Sequence, residues 1–121
     1  MDAFSLPNKQ QDYPEAQGLV LSVLTCAPVV YWNLNNQQNA EITMTQSVTF
    51  AAPTGIRKGR LYALEVIQSG AGSFLITWAS AFKNVSSLTL QTTTGYSNFL
   101  TFKAISDTTL ALVGNYVNTR A

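Results

Sequence analysis

The chain has 121 residues, a formal net charge of +1 and no histidine; 46% of its residues are hydrophobic and only 11% are charged. A length of this order fits one domain around one core. The missing histidine removes the commonest general base, the Ser-His and Cys-His nucleophile systems and the commonest metal ligand, and the near-neutral charge argues against nucleic acid, whose binding needs clustered Lys and Arg.

The charged share is less than half the usual figure of about 25%. Ser, Thr, Asn and Gln carry the polarity instead. A surface so poor in charge is explained if partners cover much of it.

Residues 1–17, MDAFSLPNKQQDYPEAQ, differ from the rest of the chain. They show neither helical period nor sustained alternation, and Pro7 and Pro14 hold the backbone extended. Lys9 against Asp2, Asp12 and Glu15 gives this segment a net charge of −2 and leaves the remainder at +3. Phe4, Leu6 and Tyr13 are unusual in a tail selected to stay in solvent. The expectation is an extended N-terminal arm, residues 1–17, that lies on a neighbouring subunit through these three anchors, followed by a β-sandwich domain over residues 18–121.

From Gly18 onward the chain reads as short strands divided by turn chemistry. The mostly apolar run 19–25 continues after Pro28 as 29–34, and residues 35–39 (NNQQN) form a polar turn. Residues 41–45 and 47–50 alternate, with Val48 and Phe50 on one face. A loop with Pro53, Gly55 and Gly59 carries Arg57, Lys58 and Arg60, the only basic cluster and a candidate polar or basic contact loop. Residues 60–68 are apolar on both faces, as in a central strand. Ser69-Gly70-Ala71-Gly72 reads as a hairpin turn into residues 73–78, where Phe74, Ile76 and Trp78 share a face. A loop through Lys83 leads to strands at 88–90, 96–104 and 108–113; in the second, Leu100 and Phe102 oppose Phe99 and Thr101. Phe74, Ile76, Trp78, Leu100 and Phe102 are the predicted core. With no window of clean 3.6 period, the expectation is all-β: a single β-sandwich, best read as an eight-stranded jelly roll.

Chemistry is scarce along this chain. Cys26 is alone, in an apolar run, and reads as an inert buried small hydrophobe; it neither forms an internal disulfide nor builds a zinc site. Glu41 and Glu65 are the one carboxylate pair outside the arm that strands can bring together, and both read as solvent-facing strand residues rather than an acid/base pair. Ser69 to Gly72 matches no phosphate-binding loop. The expectation is no enzyme, no catalytic or metal-ligating residue and no cofactor. The longest apolar stretch, residues 19–32, is broken by Ser22, Thr25 and Pro28 and is too short for a bilayer; no signal peptide is readable. Trp32, Trp78 and five tyrosines could stack sugars, but aromatic burial dominates small β domains and core is the expected place for Trp78.

The run Phe74-Leu75-Ile76-Thr77-Trp78, followed by Lys83, Leu88-Thr89-Leu90, Gly95 and Phe99-Leu100-Thr101-Phe102, resembles a module of bacteriophage virion proteins. The module recurs in tail fibres, head fibres and capsid-decoration proteins. It covers about the last half of the chain, from Ala40 if the preceding Thr- and Val-rich strands are included. Two features depart from it: Ala79 stands where proline is common, and the Lys83 loop lacks a second Trp and a Gly-Gly pair. The resemblance implies a jelly-roll-like domain, usually a homotrimer, used for attachment or reinforcement.

A tail fibre carries a long shaft or a large repetitive body, and this chain shows neither. The expected function is therefore a phage virion structural protein: a capsid cement or decoration protein that binds as a trimer between coat subunits and reinforces the shell. It would be made in the host cytoplasm and reside on the capsid surface. Its expected partners are itself and the major capsid protein, with neither nucleic acid nor membrane. The alternative is a small head- or tail-fibre module that recognises a host receptor or glycan.

Overall fold

The computed structural model describes residues 21–119. The arm with Phe4, Leu6 and Tyr13, and the boundary placed at residue 17, lie outside the described residues.

Among the described residues there are nine strands and no helix: β1 (Ser22–Leu24), β2 (Val29–Val30), β3 (Asn39–Met44), β4 (Val48–Phe50), β5 (Leu61–Gln68), β6 (Ile76–Trp78), β7 (Phe82–Lys83), β8 (Tyr96–Ser106) and β9 (Thr109–Thr119). They form a six-stranded sheet in the order β1-β3-β5-β8-β9-β7 and a three-stranded sheet in the order β2-β4-β6. The all-β class expected from the alternation is present.

The chain changes sheet at every strand from β1 to β6. β1, β3 and β5 are parallel neighbours in the larger sheet, and β2, β4 and β6 are parallel neighbours in the smaller one. Each pair of strands is thus one coil of a solenoid-like winding. Parallel neighbours need a crossover of a dozen residues or more; here a strand of the opposite sheet supplies it. Equivalent positions recur irregularly. Leu24, Ile42 and Val66 are stacked at spacings of 18 and 24 residues, whereas Val30, Phe50 and Trp78 are stacked at 20 and 28.

After the third coil the pattern changes. β8 and β9, each of 11 residues, fold back on one another and continue the larger sheet antiparallel to β5. β7 then pairs parallel to the far side of β9.

This arrangement departs from the expected eight-stranded jelly roll. Five of the seven strand pairings among the described residues are parallel. The Ser69–Gly72 turn is tight, with the Gly72 N–H donating to Ser69 O at 3.0 Å, but it joins strands of different sheets and is not a hairpin. Residues 88–90 form no strand, while Phe82–Lys83, read as loop, does.

The inner faces of the two sheets share one core. Trp32, Phe50 and Phe102 are all at most 1% exposed. Phe82 stands edge-on to Phe50 at 6.2 Å and to Phe102 at 5.5 Å between ring centroids, joining the two sheets. Of the five predicted core residues, Leu100 and Phe102 are fully buried, and Phe74, Ile76 and Trp78 are half-buried against the same cluster. Two buried amides order the periphery. Gln68 donates from Nε2 to Phe74 O at 2.8 Å and accepts from Phe74 N–H at 3.2 Å. Asn98 accepts from Gln91 N–H at 2.7 Å and donates to Asn115 Oδ1 at 2.8 Å.

Candidate functional site: the outward face of the larger sheet

Strand alternation determines what the larger sheet presents away from the core. On β5, Tyr62, Leu64, Val66 and Gln68 point inward and are buried. On β8, Asn98, Leu100, Phe102 and Ala104 do the same. The intervening residues face outward. The register aligns them across five strands in one transverse row: Val23, Glu41, Glu65, Phe99 and Tyr116.

The row is apolar at both ends. Val23 is 67% exposed and Tyr116 66%, while the rings of Phe99 and Tyr116 stack at 6.5 Å with 30° between their planes. Leu61 and Ile105 extend the same face. Between them runs a row of small side chains, Asn39, Ala63, Thr101 and Gly114. The rows on either side carry the large exposed groups, Val23, Phe99 and Tyr116 in one and Leu61 in the other, with the charged Glu41, Glu65 and Lys103 among them; single-domain proteins rarely leave large contiguous apolar patches uncovered.

The centre of the row holds the carboxylates. Pairing of β3 with β5 sets Glu41 directly beside Glu65, so the strands do bring this pair together. Glu65 is not solvent-facing as expected: it is 7% exposed and accepts a hydrogen bond from Ser97 Oγ at 2.8 Å.

The basic loop lies elsewhere. Arg57, Lys58 and Arg60 are all exposed, at the start of β5. Three backbone donors fix their loop: Lys58 N–H donates to Asp107 Oδ1 in the β8–β9 turn at 3.0 Å, Gly59 N–H to Ala104 O of β8 at 2.8 Å and Arg57 N–H to Tyr62 Oη of β5 at 3.0 Å. The loop is thus a firmly placed carrier of three cations and borders the Ile105 end of the outward face.

Two grooves open at the sides of the smaller sheet. One, of about 450 Å³, runs beside the edge strand β6 and is lined by Leu75, Trp78, Val85 and Leu88 together with Ser86 and Thr89. Three core aromatics surround the Trp78 ring, Phe82 at 4.9 Å, Phe50 at 5.1 Å and Phe102 at 5.8 Å between centroids. The indole is consequently a packing group first. Trp32, the other candidate platform for a sugar, is 1% exposed and donates from Nε1 to Gln37 O. The second groove, of about 280 Å³, lies at the free end of the first coil between Val23, Thr25, Val29 and Tyr31.

Cys26 is half-buried rather than buried, with Sγ 3.5 Å from the Thr45 amide nitrogen. Among the described residues no group of three or more His, Cys, Asp or Glu side chains is placed to hold a metal ion, and no helix is long and apolar enough to cross a membrane.

Sequence reasoning placed Phe99 opposite Leu100 and Phe102 but drew no surface from it. The signal was there: a large aromatic on the face that the alternation reserves for polar groups. Tyr116 and Val23 carried no such mark, because only the register shows that they share a row with Phe99.

The comparisons give this surface no precedent: no protein-family model matches the chain, and neither the curated proteins nor the solved structures yield a match.

Proposed function

We propose that this protein is a structural subunit of a bacteriophage virion, a capsid cement or decoration protein that binds as a trimer between coat subunits and reinforces the shell. The observation that carries the reading is the outward face of the larger sheet. It exposes Val23, Leu61, Phe99, Ile105 and Tyr116 in a chain with few charges to keep such a face soluble. Burial of apolar surface contributes roughly 25 cal/mol per Å² before the costs of association. A modest patch therefore binds weakly once and strongly when repeated over a symmetric lattice. The resemblance of the segment from Phe74 to Phe102 to phage virion modules supplies the setting.

A small head- or tail-fibre module that binds a host receptor or glycan is the second reading. The groove beside β6, lined by Ser86 and Thr89 as well as Leu75 and Leu88, is the feature that favours it. Core packing of Trp78 weighs against it.

Quantitative mass spectrometry of purified particles separates the two. A copy number comparable to that of the coat protein is the outcome expected of a cement protein. A small fraction of that number supports the fibre module, and absence from the particle defeats both.

A further inference from the structure

β9 carries the longest open strand edge among the described residues. Its partner on the far side, β7, covers only Leu110 and Ala111, where Leu110 N–H donates to Ala81 O at 2.9 Å. Past that point, residues 112–119 have no strand beside them within the described chain. The other edge strands, β1, β2 and β6, are each two or three residues long, and short edges are one way in which proteins keep sheets from joining. Charges and prolines are another, and residues 108–119, TTLALVGNYVNT, contain neither.

The neighbouring ladder fixes which backbone groups lie on this edge. Gly59 N–H donates to Ala104 O and Ala104 N–H to Arg60 O, so Ala104 turns its backbone groups toward β5. Alternation along β8 then gives Phe102, Leu100 and Asn98 to β5, and Lys103, Thr101 and Phe99 to β9. Phe99 is paired with Tyr116, which leaves Asn115 and Val117 directing N–H and C=O to the open side. Val113, the extra residue between the pairs Phe102–Leu112 and Thr101–Gly114, shifts the alternation by one. Leu110 before it and Asn115 after it therefore face the same edge.

We propose that this edge pairs with the same edge of a second copy, antiparallel about a two-fold axis beside Tyr116. A strand that meets itself must be free of like charges, and this one is. Asn115 of each copy stands opposite Val117 of the other, and the two exchange backbone bonds on either side of the axis. Tyr116 faces its own counterpart in the closely spaced, non-hydrogen-bonded position. Each Tyr116 ring is exposed and stacks on Phe99, so four rings line up across the axis, and cross-strand aromatic pairs stabilise a sheet. Gly114 falls opposite Asn118 and adds no bulk to the approach. Val117, 44% exposed although its register partner Asn98 is buried, gains cover. The contact stands apart from the virion reading: it uses the sheet edge, joins two outward faces into one, and is compatible with a three-fold contact elsewhere on the surface, as in oligomers that combine both axes.

Sedimentation equilibrium and hydrogen exchange on the full chain test the pairing. Val117→Pro removes an amide from the open edge alone and leaves the bonds to β8 in place, so the variant should keep its circular dichroism while its mass falls to half that of the wild type. Tyr116→Asp sets two carboxylates opposite one another and should halve the mass as well; if the proline variant does not fold, this one decides. The Asn115 and Val117 amides should be protected in the wild type and exchange about tenfold faster or more in Tyr116→Asp. A folded Tyr116→Asp variant with the mass of the wild type would overturn the proposal. So would fast exchange of the two amides in the wild type, or protection that persists in Tyr116→Asp.

Discussion

Gln68 shows how a single side chain holds a corner of this fold. It is 2% exposed at the end of β5, and its amide both donates to and accepts from the backbone of Phe74. The side chain thus stands in for a strand where the chain leaves one sheet for the other. Gln68→Leu keeps the volume and leaves two backbone groups without partners, so stability should fall by about 1–3 kcal/mol, read from the urea unfolding midpoint. The glycines make a sharper comparison. Gly72 has φ +71° and a Cβ there would meet Thr92 O at 2.5 Å, whereas Gly59 has φ +90° and open space. Gly59→Ala should cost about 1–2 kcal/mol from backbone strain alone. Gly72→Ala must also displace a backbone carbonyl and should be clearly the worse of the two. Equal melting temperatures for the two variants would contradict that ordering. At this scale the sequence was half legible: Gly70 and Gly72 announced a tight turn, but nothing in them announced that the turn changes sheets.

Single strands were the most legible elements. Residues 96–104 alternate Leu100 and Phe102 against Phe99 and Thr101, and β8 buries the first pair and turns the second outward. Partners were the least legible. Three residues separate β3 from β4, a length that in most β proteins means a hairpin, yet here the two strands lie in different sheets. Short polar turns serve hairpins and solenoid corners equally, and the unequal spacings hide any repeat from a periodic search. Stacking across coils is what the register reveals, and it has a measurable consequence. Phe50 is the middle rung of Val30, Phe50 and Trp78 and touches the rings of Trp32, Trp78 and Phe82. Phe50→Ala should cost about 3–5 kcal/mol by leaving a cavity between the sheets. The adjacent Thr49→Ala, on the exposed side of the same strand, should change stability by no more than about 0.5 kcal/mol in either direction. Chemical denaturation of the pair checks the assignment of the two faces.

For the whole molecule the question is which surface meets a partner. Contacts across the outward face predict that Phe99→Ser with Tyr116→Ser abolishes co-sedimentation with coat shells, since both rings are exposed and stacked on one another. The same pair should leave the far-ultraviolet circular dichroism and the cooperative melt intact, because neither ring belongs to the buried core. Retained shell binding by a folded double variant would remove this face from the contact surface. The sequence by itself determined the all-β class, the strand alternation of β5 and β8 and the scarcity of chemical groups, because these depend on residue type and on a period of two along the chain. Only the tertiary structure decided the coil-wise parallel pairing, the pairing of Glu41 with Glu65 and the row that joins Val23 to Phe99 and Tyr116. Those depend on register between strands up to dozens of residues apart, and a chain of short strands with interchangeable turns carries no local signal for it.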